Sequence, residues 1–290
     1  MAGIVGVHGI AQQFRGGYQL GSVWYDGLRD GLVAAGHRQA AEALGPTAVR
    51  VAFFGDMFRP QGAMALQDPP FSARDIQPGP ERDLLSVFYQ AAVAQDPSLG
   101  VPEGAMPAGR AAVQVMLDRL ARRPTFARIA QRAFIGNLKQ VTAFLTDLTI
   151  KQNVLARVRE QVSSDTRVLI GHSLGSVVAY EYLCHDRPAT VQLLVTLGSP
   201  LGIPNVIFDK LTPTPVGGLG VWPGRVAAWV NVADQNDIVA LRKDLSPLFR
   251  GTAQIQQVND RLVDNGDEPH AIDRYLNTRQ TGSALGDVLG

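Results

Sequence analysis

The stretch "RVLIGHSLGSVVAYEYL", Arg167 to Leu183, decides how the chain is to be read. An apolar, partly β-branched run leads into Gly171-His172-Ser173-Leu174-Gly175, and an apolar segment with helical character follows. In a chain with 30 glycines, a Gly-x-Ser-x-Gly match alone says little. It gains mechanical meaning when a strand feeds it and a helix leaves it. The serine then sits on a strained turn, and the flanking glycines let strand and helix backbones approach closely. The helix N-terminus adds a positive dipole end and unpaired N–H groups beneath an attacked carbonyl. Ser173 is therefore the expected nucleophile; a glycine-rich packing turn is the plainer alternative.

A serine hydroxyl needs a general base to attack at neutral pH, and histidine is the usual one. The chain has five histidines, so elimination is practical. His172 adjoins Ser173 at a sharp turn, which is expected to aim its ring elsewhere. His8 directly follows the first apolar run. His37 follows Gly36 beside Arg38 and reads as exposed. His185 lies at the far end of the helix that starts after Ser173. His270 remains, in "NGDEPHAIDRYL", where a loop after the last strand would fold back over Ser173.

The third member should be a carboxylate between serine and histidine, at the end of a strand. "VAAWVNVADQNDIVALR" offers Asp234 and Asp237. Asp237 is favoured, because Ile238 and Val239 form an apolar anchor that would aim its carboxylate inward. Asp234 is the runner-up, and the other of the two is expected to shape the turn through bonds to backbone N–H groups. Acyl transfer also needs N–H donors where negative charge develops. One is expected from Leu174. The second is expected from "VHGIAQQFRGG", where Gly9 permits a tight turn and the N–H of Ile10 or Ala11 faces the site. His8 is then a structural residue, and Gln12 and Gln13 are candidates for substrate contact.

Outward from the serine, near-continuous apolar runs mark further buried strands: "GIVGVH", "AVRVAFF", "VQLLVTL" and "VAAWVNV". Alternation of such runs with helical segments argues for an α/β fold, a mostly parallel sheet with helices on both faces. One interval breaks the rhythm. Residues 58–149 hold a proline- and glycine-rich loop, then helical stretches near Glu81–Gln95, Ala111–Arg122 and Phe126–Thr149. They read as a helical cap insertion between core segments 1–57 and 150–290. "LTPTPVGGLGVWPG" reads as a second pocket wall, which Trp222 would line. Ser199 lacks a strand-to-helix turn and reads as loop structure, and Asp56 as a structural carboxylate.

Composition narrows the function classes. The 290 residues are 46% hydrophobic, enough to bury a sizeable core. Lys+Arg 27 nearly balance Asp+Glu 26, with no basic run longer than two, so nothing advertises nucleic-acid binding. The single cysteine, Cys184, rules out an intrachain disulfide and a cysteine-built zinc site, and reads as a small core residue. No stretch approaches the roughly 18 apolar residues of a membrane span, and the start lacks the marks of a signal peptide. A cytoplasmic protein without stable membrane insertion is expected.

With these residues in place, the sequence resembles the α/β-hydrolases, in their lipase- and esterase-like branch. The resemblance is carried by His8-Gly9, "GHSLG" at Gly171–Gly175, "LGSPLG" at Leu197–Gly202, "NVADQNDIVA" at Asn231–Ala240 and "PHAIDRYL" at Pro269–Leu276. It covers the first ~55 and last ~125 residues, with Ser, Asp and His in the family's order. The chain departs from the family by opening at what resembles its third strand, and by an insertion earlier than many caps. The resemblance implies a serine hydrolase acting on a small-molecule carboxylic ester, with no metal or organic cofactor. Two other functions fit the same residues: an acyltransferase or cyclising thioesterase, and a non-catalytic binding protein on a hydrolase scaffold. Oligomeric state is open.

Overall fold

The computed structural model describes residues 3–13, 15–58, 71–100, 110–122, 131–251 and 256–289. Six strands form one sheet: β1 (Gly3–Val7), β2 (Val49–Ala52), β3 (Thr166–His172), β4 (Leu193–Leu197), β5 (Ala228–Asp234) and β6 (Asn259–Val263). Their order is β2-β1-β3-β4-β5-β6, and every neighbouring pair is parallel. The expected α/β class is therefore what the chain adopts. β3, which feeds Ser173, is a central strand flanked by β1 and β4.

Side-chain alternation along the strands divides the core into two layers. Ile4, Val168, Ile170, Val195 and Val232 face one layer, where α1 (Gly17–Ala34) packs through Leu20, Trp24, Leu28 and Leu32. Val5, Val7, Leu169, Leu194 and Trp229 face the other. The same apolar cluster takes in α3 (Pro80–Gln95), α4 (Arg110–Leu120) and α5 (Gln131–Thr146), while α6 (Leu148–Gln161) and α7 (Leu174–Asp186) pack on the strands themselves. Between α1 and β2 lies the short α2 (Arg38–Ala43), and the chain ends in α8 (Ile272–Leu276) and α9 (Arg279–Leu289). His37 sits at the N-cap of α2 and is half-buried rather than exposed, because its ring lies over Gly286 of α9.

Between β2 and β3 the described chain holds helices and no strand, as the sequence implies. Pro80 starts α3 where its missing N–H costs nothing, and Glu81 and Asp83 face the positive helix end. The single helix expected over Phe126–Thr149 is instead two helices in its described part. Asp147 breaks it: its Oδ1 accepts the N–H groups of Thr149 (2.8 Å) and Ile150 (3.1 Å) and caps α6. Residues 126–130, and residues 59–70 of the loop read before α3, lie outside the described residues.

β6 is the strand that sequence patterning misses. In "NDRLV" only Val263 is buried, so this edge strand carries no continuous apolar run, unlike β2 at the opposite edge. The segments around it are fixed by polar bonds. Asp260 accepts N–H groups from Leu245 (2.8 Å) and Ser246 (2.9 Å), as well as the Asn231 amide (3.0 Å). Strand-end differences elsewhere are of one to two residues.

Candidate active site

Ser173 stands where β3 ends and α7 begins, with φ 55° and ψ −131°, a conformation that side-chain-bearing residues rarely adopt. Its neighbours explain how that turn is tolerated. A Cβ at Gly171 would lie 2.5 Å from the Gly175 carbonyl oxygen, and one at Gly175 would lie 2.0 Å from that of Val7. Both positions therefore need glycine. The turn is tied down by the Ser173 N–H, which donates to the Leu197 carbonyl (3.0 Å). Ser176 Oγ also donates to the Ser173 carbonyl (2.6 Å).

That second bond settles Ser199. With the Ser176 proton engaged, the 2.7 Å contact between the two hydroxyls is donated by Ser199. Ser199 Oγ in turn accepts the Leu201 N–H (3.2 Å), so this buried serine organises its loop.

A continuous hydrogen-bonded chain starts at Ser173. Its Oγ is 3.0 Å from His270 Nε2, and His270 Nδ1 is 2.7 Å from Asp237 Oδ2. His270 is part-exposed and Asp237 is fully buried. Asp237 Oδ1 accepts the Val239 N–H (2.8 Å), and Tyr275 donates its hydroxyl to Oδ2 (2.8 Å). Burial pushes the Asp237 carboxyl up, but the facing His270 ring, the Tyr275 hydroxyl and the Val239 N–H outweigh it. The net direction is below the ordinary carboxylate value.

Asp234 does different work. Its Oδ1 accepts the Asn236 N–H (2.7 Å) and its Oδ2 accepts the Asn265 N–H, joining the β5 turn to the loop that carries His270. Tyr275 bridges the two carboxylate residues, since its oxygen also accepts the Asp234 N–H (2.9 Å). Burial beside Asp237 pushes the Tyr275 phenol up, so the group stays protonated and able to donate. Gly198, at φ 54°, makes room for this assembly. A Cβ there would lie 2.8 Å from Asp237 Oδ2 and 3.1 Å from His270 Nδ1.

A cavity of about 450 Å³ opens over Ser173. Ile10, Ala11 and Leu174 line it, together with Gln12, His172, Asp237 and His270. Gly9 lies beneath: a Cβ there would come 2.6 Å from Ser173 Cβ, so the β1 loop crosses directly over the serine. Ala11 holds φ 62°, which bends this loop. Phe88 of α3 and Phe134, Leu138 and Val141 of α5 form an apolar wall opposite. Gln13 turns to Gln140, whose amide donates to it (3.3 Å), and does not line the cavity.

Two further expectations fail here. The 211–224 run does not line this cavity: Val216 pairs with Leu219, and the Trp222 indole donates to the Val226 carbonyl (2.9 Å) while its ring packs on Trp229. His172 does not point away. It continues the β3 face of Val168 and Ile170, the layer that holds Tyr275, and so meets His270 at a ring-centroid distance of 4.8 Å. The alternation of the strand carries it there. Tyr275 is a further site residue that the sequence reading treats only as part of an apolar helical start.

His8 is structural. Its Nδ1 donates to the Gly9 carbonyl (2.6 Å), its Nε2 accepts the Phe54 N–H (3.0 Å), and its ring stacks on Phe54. Burial lowers its pKa to about 4, only partly offset by the Gly9 carbonyl and Asp56. Asp56 is bonded to Arg157 (3.1 Å). His185 is exposed beside Asp186, and Cys184 is half-buried against the core with its thiol pushed up to about 12 by burial. Among the described residues no cluster of His, Cys, Asp or Glu is arranged to hold a metal, and no helix is long and apolar enough to cross a membrane.

A hydroxyl bonded to an imidazole whose other nitrogen faces a buried carboxylate can pass its proton to that imidazole as it attacks an electrophile. The comparisons with known proteins point the same way at a coarser level. No curated protein and no solved structure matches the chain. Residues 132–214, a little over a quarter of the chain, match the family model of the PGAP1-like alpha/beta domain. That span runs from α5 through β3, Ser173, α7 and β4, and over it the chain is similar to a serine hydrolase-like α/β fold.

Proposed function

We propose that the chain is a serine hydrolase that cleaves a small-molecule carboxylic ester through an acyl-Ser173 intermediate. The observation that carries this reading is the unbroken Ser173–His270–Asp237 hydrogen-bonded chain beneath an apolar-walled cavity. Ser173 Oγ attacks the ester carbonyl carbon while His270 Nε2 takes its proton. Asp237 orients the imidazole and stabilises its cation. The N–H groups of Leu174 and of Ile10, on a loop shaped by Gly9 and Ala11, receive the oxyanion. His270 then protonates the departing alkoxide, and the same steps with water free the acid. This chemistry calls for no cofactor.

Residues 58–149 act as the cap on a hydrolase core formed by 1–57 and 150–290. Phe88, Phe134, Leu138 and Val141 supply the surface for a lipophilic acyl group. Turnover of a p-nitrophenyl ester series of rising acyl length tests the reading. Hydrolysis should favour acyl groups longer than acetyl, and Ser173→Ala should lower kcat by at least about 10⁴-fold. Ester turnover that survives in the Ser173→Ala variant would overturn it. Methanol or hydroxylamine added to the assay reports whether another nucleophile outcompetes water for the acyl group.

A further inference from the structure

Among the described residues, His172 is the one buried ionisable group in contact with His270 for which the hydrolase reading names no task. Its Nε2 lies 3.0 Å from the carbonyl oxygen of His270. A carbonyl only accepts, so Nε2 carries the proton and donates it. Burial first, and then the neighbouring His270, lower the His172 pKa to about 3, which keeps the ring neutral at ordinary pH. Its ring lies 4.8 Å from that of His270 and 5.9 Å from that of Tyr275.

The loop that carries His270 has need of such a tether. Over residues 264–271 it has no regular secondary structure. It is held by the Asn265 N–H on Asp234, the Asn265 amide on the Pro269 carbonyl (3.2 Å) and the Ala271 N–H on the Glu268 carbonyl (3.0 Å). None of these bonds reaches β3, where Ser173 sits. Consecutive residues of the serine turn instead hold His270 at two points: His172 at its carbonyl and Ser173 at its Nε2.

We propose that His172 is a positioning residue that locks the His270 loop to the serine turn through the His270 carbonyl, a role that rests on the hydrolase reading above. It fixes the Ser173–His270 separation from the serine's own strand. It does so without adding a second charge beside an imidazole that becomes cationic as Ser173 attacks. Misplacement of a reacting group by about 1 Å can cost 10²-fold in rate, so the tether acts on kcat rather than on binding.

Two variants test this, His172→Leu, which removes the donor, and His172→Gln, which keeps an amide N–H within reach of the carbonyl. With a p-nitrophenyl ester, His172→Leu should lose about 10-fold or more in kcat with KM changed less than about twofold. His172→Gln should recover most of that loss. In the parent at pH 7, nitrogen NMR should show His172 as the neutral tautomer protonated at Nε2. A His172→Leu variant with parental kcat would overturn the role, as would equal losses in both variants that track a falling Tm. A parent that neither turns over ester nor reacts with a fluorophosphonate would overturn the hydrolase reading itself, and this role with it. A reactive parent with an unimpaired His172→Leu variant would overturn this role alone.

Discussion

The turn that carries Ser173 and the loop that carries His270 meet at two hydrogen bonds, yet they are built by opposite means. The turn is made of backbone: a central strand, a helix, and glycines at 171 and 175 where any Cβ would strike main-chain atoms. The loop is made of side chains. Asp234, Asn265, Tyr275 and His172 hold it or its partner Asp237, from positions as far apart in sequence as 172 and 275. A turn fixed by local sterics leaves its mark in a few adjacent letters. A loop fixed by distant polar partners leaves none, and its accuracy is open to loss at many places.

The two adjacent carboxylates give the sharpest way to break this comparison. Asp237→Asn should lower kcat by about 10⁴-fold, because an amide facing His270 Nδ1 favours the wrong tautomer. Asp234→Asn removes a charged acceptor that joins two loops. It should cost about 1–3 kcal/mol of stability in chemical denaturation while kcat falls by less than about 10-fold. Similar kcat losses in both variants would mean that the acid's identity does not rest on contact with His270.

Gly198 tests whether the side-chain-built half also has a backbone requirement. Its positive φ and its proximity to Asp237 and His270 leave no room for a methyl group. Gly198→Ala should lower kcat by about 10²-fold with a modest fall in Tm, since the acid–base pair is pushed apart. Parental kcat in this variant would show that the pair tolerates displacement.

Protonation gives a smaller and more distributed effect. The folded-state pKa values of His172 and His8, about 3 and about 4, lie below the unfolded value near 6.5. Between those limits the unfolded chain binds more protons. Their stability contribution is therefore complete above about pH 6.5 and is lost as pH falls, by up to about 1.4 kcal/mol per unit for each ring. Asp237, held below its ordinary value, adds a loss at lower pH, as its carboxyl is protonated. Denaturation midpoints at pH 7.5, 6 and 5 should decline with a steepening slope. A flat response would show that neither ring is held below its ordinary value.

The same contrast explains what the sequence discloses. Strands β1, β3, β4 and β5 are legible because central parallel strands bury both faces and read as apolar runs. β6 is not: only Val263 of its five residues is buried, and Asp260 rather than an apolar run anchors it, whereas β2 at the other edge keeps a buried apolar run and stays legible. Ser173 stands out through Gly171 and Gly175, and His270 through the paucity of other histidines. Tyr275 escapes notice because an aromatic in an apolar helical start looks like packing; only its distance to Asp237 shows its hydroxyl at work. His172 is misread when the turn alone is considered. Strand alternation from Val168 through Ile170 was the available signal, since it puts residue 172 on the face that holds Tyr275.

The most direct measurement is intact mass after incubation with a fluorophosphonate, for the parent chain, Ser173→Ala and His270→Ala. A single adduct is expected on the parent and none on Ser173→Ala, with labelling of His270→Ala slowed by orders of magnitude. An unlabelled parent that is folded by circular dichroism, or an adduct that persists without Ser173, would contradict the hydrolase reading.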